Sequence, residues 1–158
     1  MTLGTMILGT MILGNMNQAD MAAADASLAL TLSPADTQLF MMRATAEGMR
    51  GLFKEAVDDV SAALHLDAGR TDALVLRAVM RRKLNQPYLA QADGSQALTL
   101  DPDDADALLG RGILRQRMGD SAGARADWEH ARGADPNSTT ADLAAQNLSL
   151  LKAGPRRR

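Results

Sequence analysis

The chain contains no cysteine and few aromatic residues. Its 158 residues include two phenylalanines, one tyrosine and one tryptophan, which together make up 3%. Without cysteine there can be no disulfide, no thiolate nucleophile and no cysteine-ligated metal, whereas the compartment stays undetermined. A net charge of −2 provides no general argument for nucleic acid as a partner. No lysine or arginine precedes Arg43, so the basic region of a signal peptide is missing.

What the chain does contain is an internal period of 34 residues. Three columns keep this register: the alanines Ala22, Ala56, Ala90 and Ala124; the alanines Ala29, Ala63, Ala97 and Ala131; and the aspartates Asp25, Asp59, Asp93 and Asp127. Each period carries two apolar helical patterns, and such a pair cannot bury its inner face alone. We therefore expect the repeats to stack on one another through a core of alanine, leucine and methionine.

This pattern resembles the tetratricopeptide repeat (TPR). Repeats 1 to 4 are counted here from Leu3, Thr37, Thr71 and Ala105. The match consists of a large apolar residue at position 4, a small residue at position 8 (Ala44, Ala78 and Gly112) and alanine at positions 20 and 27. Position 11, usually aromatic in that family, holds Leu13, Glu47, Arg81 and Arg115. The resemblance implies an all-α fold, a right-handed α-solenoid of antiparallel helix hairpins with a C-terminal capping helix.

The same register predicts the domain organisation. Residues 1–136 are expected to hold the four repeats, at 3–36, 37–70, 71–104 and 105–138, each with a first helix near positions 1–14 and a second near 17–30. A capping helix over 139–153 and a basic tail over 154–158 follow. We expect Asp36, Asp104 and Ser138 to cap helix starts, and Asn85 to cap the helix that begins at Pro87.

The first sixteen residues are apolar and of low complexity, with the pentads Thr2 to Met6, Ile7 to Met11 and Ile12 to Met16. Two interpretations stay open. The segment is the first helix of repeat 1, or it is the remnant of an export or anchor segment, although it is shorter than the ~20 residues of a membrane helix. A helix here would have an uncapped apolar surface, and such surfaces usually contact something, so the candidates are a second copy, another partner or upstream repeats absent from this chain.

Three patterns resemble enzyme or metal sites. Residues 119–123 satisfy G-x-S-x-G, but a helix and not a strand precedes Ser121, so a helix turn is the better interpretation. His65 and His130 stand at different repeat positions without a matched carboxylate, which implies neither a triad nor a metal site. The acidic run 101–106 lacks the glycine and the bidentate glutamate of a calcium loop and is better explained by helix capping.

Repetition also predicts structural ion pairs. Arginine stands at position 7 of three repeats, sixteen residues before the aspartate at position 23. Antiparallel helices bring these positions together, so we expect the pairs Arg43 with Asp59, Arg77 with Asp93, and Arg111 with Asp127. In repeat 1 Gly9 replaces the arginine, and Asp25 is expected to pair with Arg43 instead. An anion site built from the three arginines is the functional alternative.

If the chain is a TPR-like stack, the resemblance implies that first helices line a concave face through positions 2, 5, 9, 12 and 13. The candidate partner-binding residues at these positions are Met41, Thr45, Met49, Asp72, Val75, Val79, Arg82, Lys83, Asp106, Leu109, Ile113 and Arg117. Apolar residues form the floor, acids lie toward one edge and bases toward the other. Acids at helix N-termini and bases at C-termini would give the same charge pattern without any ligand. Family members that bind chaperone tails hold a carboxylate with Lys and Asn at positions 5, 6 and 9, which are absent here.

We therefore expect a non-catalytic protein-interaction module that binds a peptide or helical segment in an apolar, charge-flanked concave groove. The alternative is a structural or assembly protein that self-associates through residues 1–16. Catalysis by Ser121 lacks a base and an oxyanion site. RNA binding by basic residues such as Arg81 and Arg115 lacks interleaved aromatics. We expect no cofactor, metal, small-molecule substrate or nucleic acid, and predict no localisation.

Overall fold

The structure, a computed structural model, describes residues 3–153, with side chains from residue 14 onward. This range contains eight α-helices and no strand, which confirms the expected all-α class. The helices are α1 (Leu3–Leu32), α2 (Thr37–Met49), α3 (Phe53–Leu66), α4 (Thr71–Lys83), α5 (Pro87–Leu100), α6 (Ala105–Arg117), α7 (Ser121–Ala134) and α8 (Thr139–Ala153). The basic tail expected at 154–158 lies outside the described residues, as do the side chains of the apolar segment up to residue 13.

The chain forms two compact units. Met1–Ala68 contains α1, α2 and α3, and Gly69–Arg158 contains α4 to α8. Within each unit, helices that follow one another along the chain pack against each other. The first and second helices of repeats 2, 3 and 4 are α2 with α3, α4 with α5, and α6 with α7.

Alanine is the main residue where the two helices of a repeat meet. The alanines at positions 20 and 27 of repeats 2, 3 and 4 have no exposed surface at all, namely Ala56, Ala63, Ala90, Ala97, Ala124 and Ala131. Because a methyl group is small, the helix axes can approach closely, and larger side chains such as Leu74, Leu108 and Val60 fill the space around them.

A residue with positive φ reverses the chain within each of these repeats. Gly51, Asn85 and Gly119 all stand at position 15 and have φ values of 78°, 57° and 90°. Glycine adopts this region without steric cost, and asparagine is one of the few other residues that tolerates it. The prediction that Asn85 caps α5 is wrong, because it forms the turn itself, and Gln86 is the N-cap before Pro87.

Repeat 1 differs from the other three. A hairpin was expected over residues 3–36, but α1 is a single helix from Leu3 to Leu32 without a turn. Position 15 of this repeat is Asn17, which is helical here. Repeat 1 has no glycine at position 15. It also has no proline that corresponds to Pro87 of repeat 3 and no aspartate that corresponds to the helix cap Asp120 of repeat 4. The helix therefore continues, and repetition of the packing residues alone does not make a turn.

Side-chain caps begin several helices where the sequence predicts them. Asp36 accepts hydrogen bonds from the backbone N–H groups of Gln38 and Leu39, and Asp104 accepts one from Ala107. The Ser138 hydroxyl accepts one from the N–H of Ala141. These interactions pair N–H groups that have no partner inside the helix.

Candidate binding groove

The expected arginine–aspartate pairs hold the two helices of repeats 2, 3 and 4 together. Arg43 donates from Nε and Nη2 to the two carboxylate oxygens of Asp59, at 2.6 and 2.7 Å. The Arg77–Asp93 pair has distances of 3.1 and 2.7 Å, and the pair formed by Arg111 with its aspartate has 2.9 and 2.7 Å. Two parallel hydrogen bonds fix the orientation of each guanidinium and with it the register of the hairpin.

A second arginine joins two of these pairs, and this was not predicted. Arg81 donates from Nη1 to Asp93 at 2.7 Å, and Arg115 donates to Asp127 at 2.9 Å. The aspartates are almost fully buried, with 3% of each residue exposed. The available signal was arginine at position 11, where the family usually has an aromatic residue. Both arginines therefore bind a carboxylate within the protein.

Repeat 2 has a carboxylate at the corresponding position. Glu47 stands at position 11 of α2, close enough to Asp59 and Arg43 to interact electrostatically with both. Its Oε2 atom is buried and has no hydrogen-bond partner among the described residues. Burial, followed by repulsion from Asp59, raises the pKa of Glu47 to about 7. The pKa of the neighbouring Arg43 guanidinium is also raised, in this case by its hydrogen bond to Asp59.

A groove opens between α4 and α6 in the C-terminal unit, with α5 contributing to it. It has a volume of about 470 Å³, and its apolar lining includes four half-buried side chains at positions 5 and 9, Val75, Val79, Leu109 and Ile113. Gly110 also lines the groove, and a Cβ built on it would meet no atom within 4 Å. The groove therefore has an apolar floor with room for side chains of another molecule.

Opposite charges line the groove. The carboxylates of Asp72, Asp104 and Asp106 stand at the N-terminal ends of α4 and α6, and the Arg82 guanidinium stands in the last turn of α4. Asp72 and Arg82 are ten residues apart on one helix, which is about 15 Å along its axis. Arg82 is half-buried and has no hydrogen-bond or ion-pair partner among the described residues, so its charge is available to a ligand.

The carboxylates at the acidic end have different partners. Asp72 forms an ion pair with Arg70, and the hydrogen bond that Arg70 donates within this pair lowers the pKa of the Asp72 carboxyl. Asp106 accepts a hydrogen bond from the Thr140 hydroxyl on α8, and Asp104 caps α6. Asp72 and Asp106 are nevertheless exposed and keep lone pairs that a cationic group could use.

The remaining candidate binding residues lie elsewhere. Lys83 and Arg117 are exposed at the C-terminal ends of α4 and α6 and do not line the groove. Three candidates lie on α2 in the N-terminal unit. Met41 is buried, whereas Thr45 and Met49 are exposed. The structure thus brings together seven of the twelve candidates around one groove, namely Asp72, Val75, Val79, Arg82, Asp106, Leu109 and Ile113.

The enzyme-like patterns form ordinary helix structure. Gly119 makes the turn before α7, Asp120 caps that helix through the N–H of Gly123, and Ser121 is its first residue. His130 contacts the Asp103 carboxylate at 2.8 Å on the surface, so the expectation that it lacks a carboxylate is wrong. Among the described residues no cluster of three or more His, Cys, Asp or Glu side chains could hold a metal ion. Nor does any helix in this range have the length and apolarity to cross a membrane.

Comparison with solved structures identifies the fold. MamA superposes with a TM-score of 0.76 at 18% identity, over 98% of this chain and 85% of that chain. The first TPR domain of Spaghetti (RPAP3), bound to the HSP90 peptide SRMEEVD, has a TM-score of 0.68 at 20% identity, over 74% and 90%. The Yersinia enterocolitica type III secretion chaperone SycD, in complex with a peptide of the translocator YopD, has a TM-score of 0.68 at 16% identity, over 73% and 92%.

No protein-family model matches the chain, and a search of curated proteins also finds no match. Identities below 25% support a shared fold and not a shared partner. The helical architecture, the repeat register and these superpositions agree with one another, and they confirm the fold that the sequence pattern predicts. The chain has the fold of a tetratricopeptide repeat domain.

Proposed function

We propose that the protein is a non-catalytic interaction module that binds a peptide or helical segment of another protein in the α4–α6 groove. The observation that carries this proposal is an apolar floor, made by Val75, Val79, Leu109 and Ile113, beside the Arg82 guanidinium, which has no partner among the residues that the structure describes. An apolar floor supplies contact area, and a few well-placed polar groups supply orientation.

Two domains of the same fold support this class of function. The Spaghetti domain is bound to an HSP90 peptide, and SycD is bound to a peptide of YopD. The partner of the present chain must differ from a segment held mainly by its C-terminal carboxylate, because Val75, Leu76 and Val79 stand at the positions where lysine and asparagine would be needed. Apolar side chains of the segment would instead contact the groove floor.

The charges of the groove favour one direction of binding. We infer that an acidic residue of the segment pairs with Arg82 and a basic residue lies near Asp72 and Asp106. About 15 Å separates the two ends, which corresponds to ten residues of a helix or four to five residues of an extended peptide. Charge complementarity of this kind contributes more to orientation than to affinity.

The test selects binders from a random peptide library displayed on phage, using the full chain as bait, and measures synthetic versions by fluorescence anisotropy. We expect the selected peptides to carry spaced apolar residues and an acidic residue. Their affinity for the Gly110→Leu variant, in which the leucine fills the groove, should be at least tenfold lower than for the native chain. Gly133→Leu is the matched control, since both glycines are helical and a Cβ on either meets no atom within 4 Å. Peptides that bind both variants as well as the native chain would contradict the proposal.

A further inference from the structure

One helix face in the N-terminal unit lacks the cover that its three counterparts have. In repeats 2, 3 and 4 the residues at positions 20, 23 and 27 are buried. The alanines have no exposed surface, and each aspartate is at most 8% exposed. In α1 the same positions hold Ala22, Asp25 and Ala29. Both alanines are half-exposed and Asp25 is exposed. The residues are those of a covered helix face, but the face is open.

The other repeats show what covers such a face. Their first helices pack on it and present a small residue at position 8 and an arginine at position 7, which donates two hydrogen bonds to the aspartate. An adjacent side of α1 is already in use, since Ala19, Ala23, Ala26 and Leu30 are buried against α2. Since α1 continues from Leu3 to Leu32 without a turn, no first helix folds back onto its open side.

Asp25 has no partner among the described residues. The expected pairing with Arg43 is wrong, because the Arg43 guanidinium binds Asp59 and the Ser27 hydroxyl instead. Met21 and Leu28, each one residue before an alanine of the open face, are 60% and 67% exposed. An exposed apolar edge beside an unpaired carboxylate and two small residues matches the surface that a first helix covers elsewhere in this chain.

We propose that the face formed by Ala22, Asp25 and Ala29 is a docking site for an amphipathic helix of a partner protein. The helix presents a small residue to the two alanines and, immediately before it, an arginine that pairs with Asp25. This site lies in the N-terminal unit and is independent of the α4–α6 groove.

Residues 3–16 are a poor source of this helix. At position 7 they have Gly9 instead of the arginine that would pair with Asp25, and at position 8 they have Thr10 instead of the alanine or glycine of the other repeats. The helices that do carry the required pair, such as α4 with Arg77 and Ala78, are already packed within their own repeats. A second copy has the same sequence and so lacks a free helix of this kind as well.

The probe is a synthetic peptide with the sequence of residues 71–83, acetylated and amidated, because it contains the arginine and the small residue in the required order. The peptide is titrated to millimolar concentration into the isotopically labelled full chain, since a helix of this length is only marginally formed in water. We expect amide shifts within residues 19–32. Replacing the peptide's Arg77 by glutamine, or Asp25 of the protein by asparagine, should weaken binding at least fivefold. Asp58→Asn, at an exposed acid of α3, is the control and should change nothing.

A variant that adds side-chain volume tests the same face without changing any charge. Ala22→Leu should leave the fold intact, because the site is half-exposed, and should abolish the shifts in α1. Shifts confined to α4 and α6, or binding that is unaffected by Ala22→Leu, would overturn the proposal. A wild-type dimer that Ala22→Leu converts to a monomer would assign the face to a second copy. Nuclear Overhauser contacts between residues 3–16 and Ala22 in a monomer would assign it to the chain's own N-terminal segment. Each of the last two results would overturn the assignment to a partner protein.

Discussion

Gly112 on α6 lies directly against the indole ring of Trp128 on α7. A Cβ built on Gly112 would overlap the indole Nε1 and stand 2.6 Å from Cδ1, so no side chain fits there unless the ring moves. The indole N–H donates a hydrogen bond to the carbonyl of Leu109 at 3.3 Å, which holds the ring in place. Repeats 2 and 3 have alanine at position 8 and a smaller residue than tryptophan at position 24, Val60 and Gly94. Glycine at position 8 therefore occurs in the repeat that has tryptophan at position 24.

Gly112→Ala should destabilise the protein although alanine is the better helix former. Overpacking against Trp128 is expected to cost about 1–3 kcal/mol, which exceeds the ~1 kcal/mol gained from helix propensity. Gly110→Ala, on the same helix with open space around it, should be neutral or stabilising. Urea denaturation of the two variants measures the difference. Equal effects would mean that Trp128 is free to move.

Ala97→Leu should be far more damaging than Ala29→Leu, although both stand at position 27. Ala97 has no exposed surface, so added volume must push α4 and α5 apart at a cost of about 1–3 kcal/mol. Ala29 is half-exposed, and its leucine can point into solvent. Denaturation midpoints of the two variants test this difference. A similar cost at Ala29 would indicate that the open face of α1 is in fact covered.

Asp93→Ala should cost more than Asp59→Ala. Removing Asp93 leaves Arg77 and Arg81 without their shared carboxylate, and less than a fifth of either side chain is exposed. Loss of a buried charge partner typically costs about 3–5 kcal/mol. Asp59 has one arginine, and its removal also relieves repulsion with Glu47. A thermal or urea series in which the two variants lose equal stability would show that the second arginine contributes nothing.

Glu47 should make stability decrease between about pH 4.5 and pH 7. Its pKa is about 7 in the folded chain and 4.5 without burial, so the folded state binds the proton more tightly. The contribution is fully present below the lower pKa and is lost as pH rises through the upper one. Allowing for solvent screening, the loss is on the order of 1 kcal/mol. Glu47→Gln should remove this decrease, whereas Glu129→Gln, at an exposed position of α7, should keep it. A decrease that persists in Glu47→Gln would assign it to another group.

Floor and charge variants of the groove should affect binding differently. Val79→Asp with Ile113→Asp places two unpaired charges in the contact floor and should reduce affinity at least a hundredfold. Arg82→Glu should mainly slow association and weaken its salt dependence, because a charge at the edge of a binding site steers the encounter more than it holds the complex. Stopped-flow kinetics with a selected peptide separates the two effects. Binding that ignores the floor variant would place the partner elsewhere on the protein.

Much of the architecture could be predicted from residues that recur every 34 positions. The alanines at positions 20 and 27 determine which helix faces meet, because only small side chains allow close packing. The arginine at position 7 and the aspartate at position 23 are paired in the structure because antiparallel helices bring these two positions together. Local signals such as Asp36 and Asp104 placed helix starts correctly.

Only the tertiary structure decided how these elements are used. The sequence repeats Ala22, Asp25 and Ala29 in register, yet their burial depends on whether a helix packs over them, and α1 continues where a hairpin would turn back. Likewise Arg81 and Arg82 are adjacent and identical in the sequence, but Arg81 binds Asp93, whereas Arg82 faces the groove and has no partner within the described part of the chain. Residues one apart on a helix point about 100° away from each other, so their partners are set by the packing of neighbouring helices.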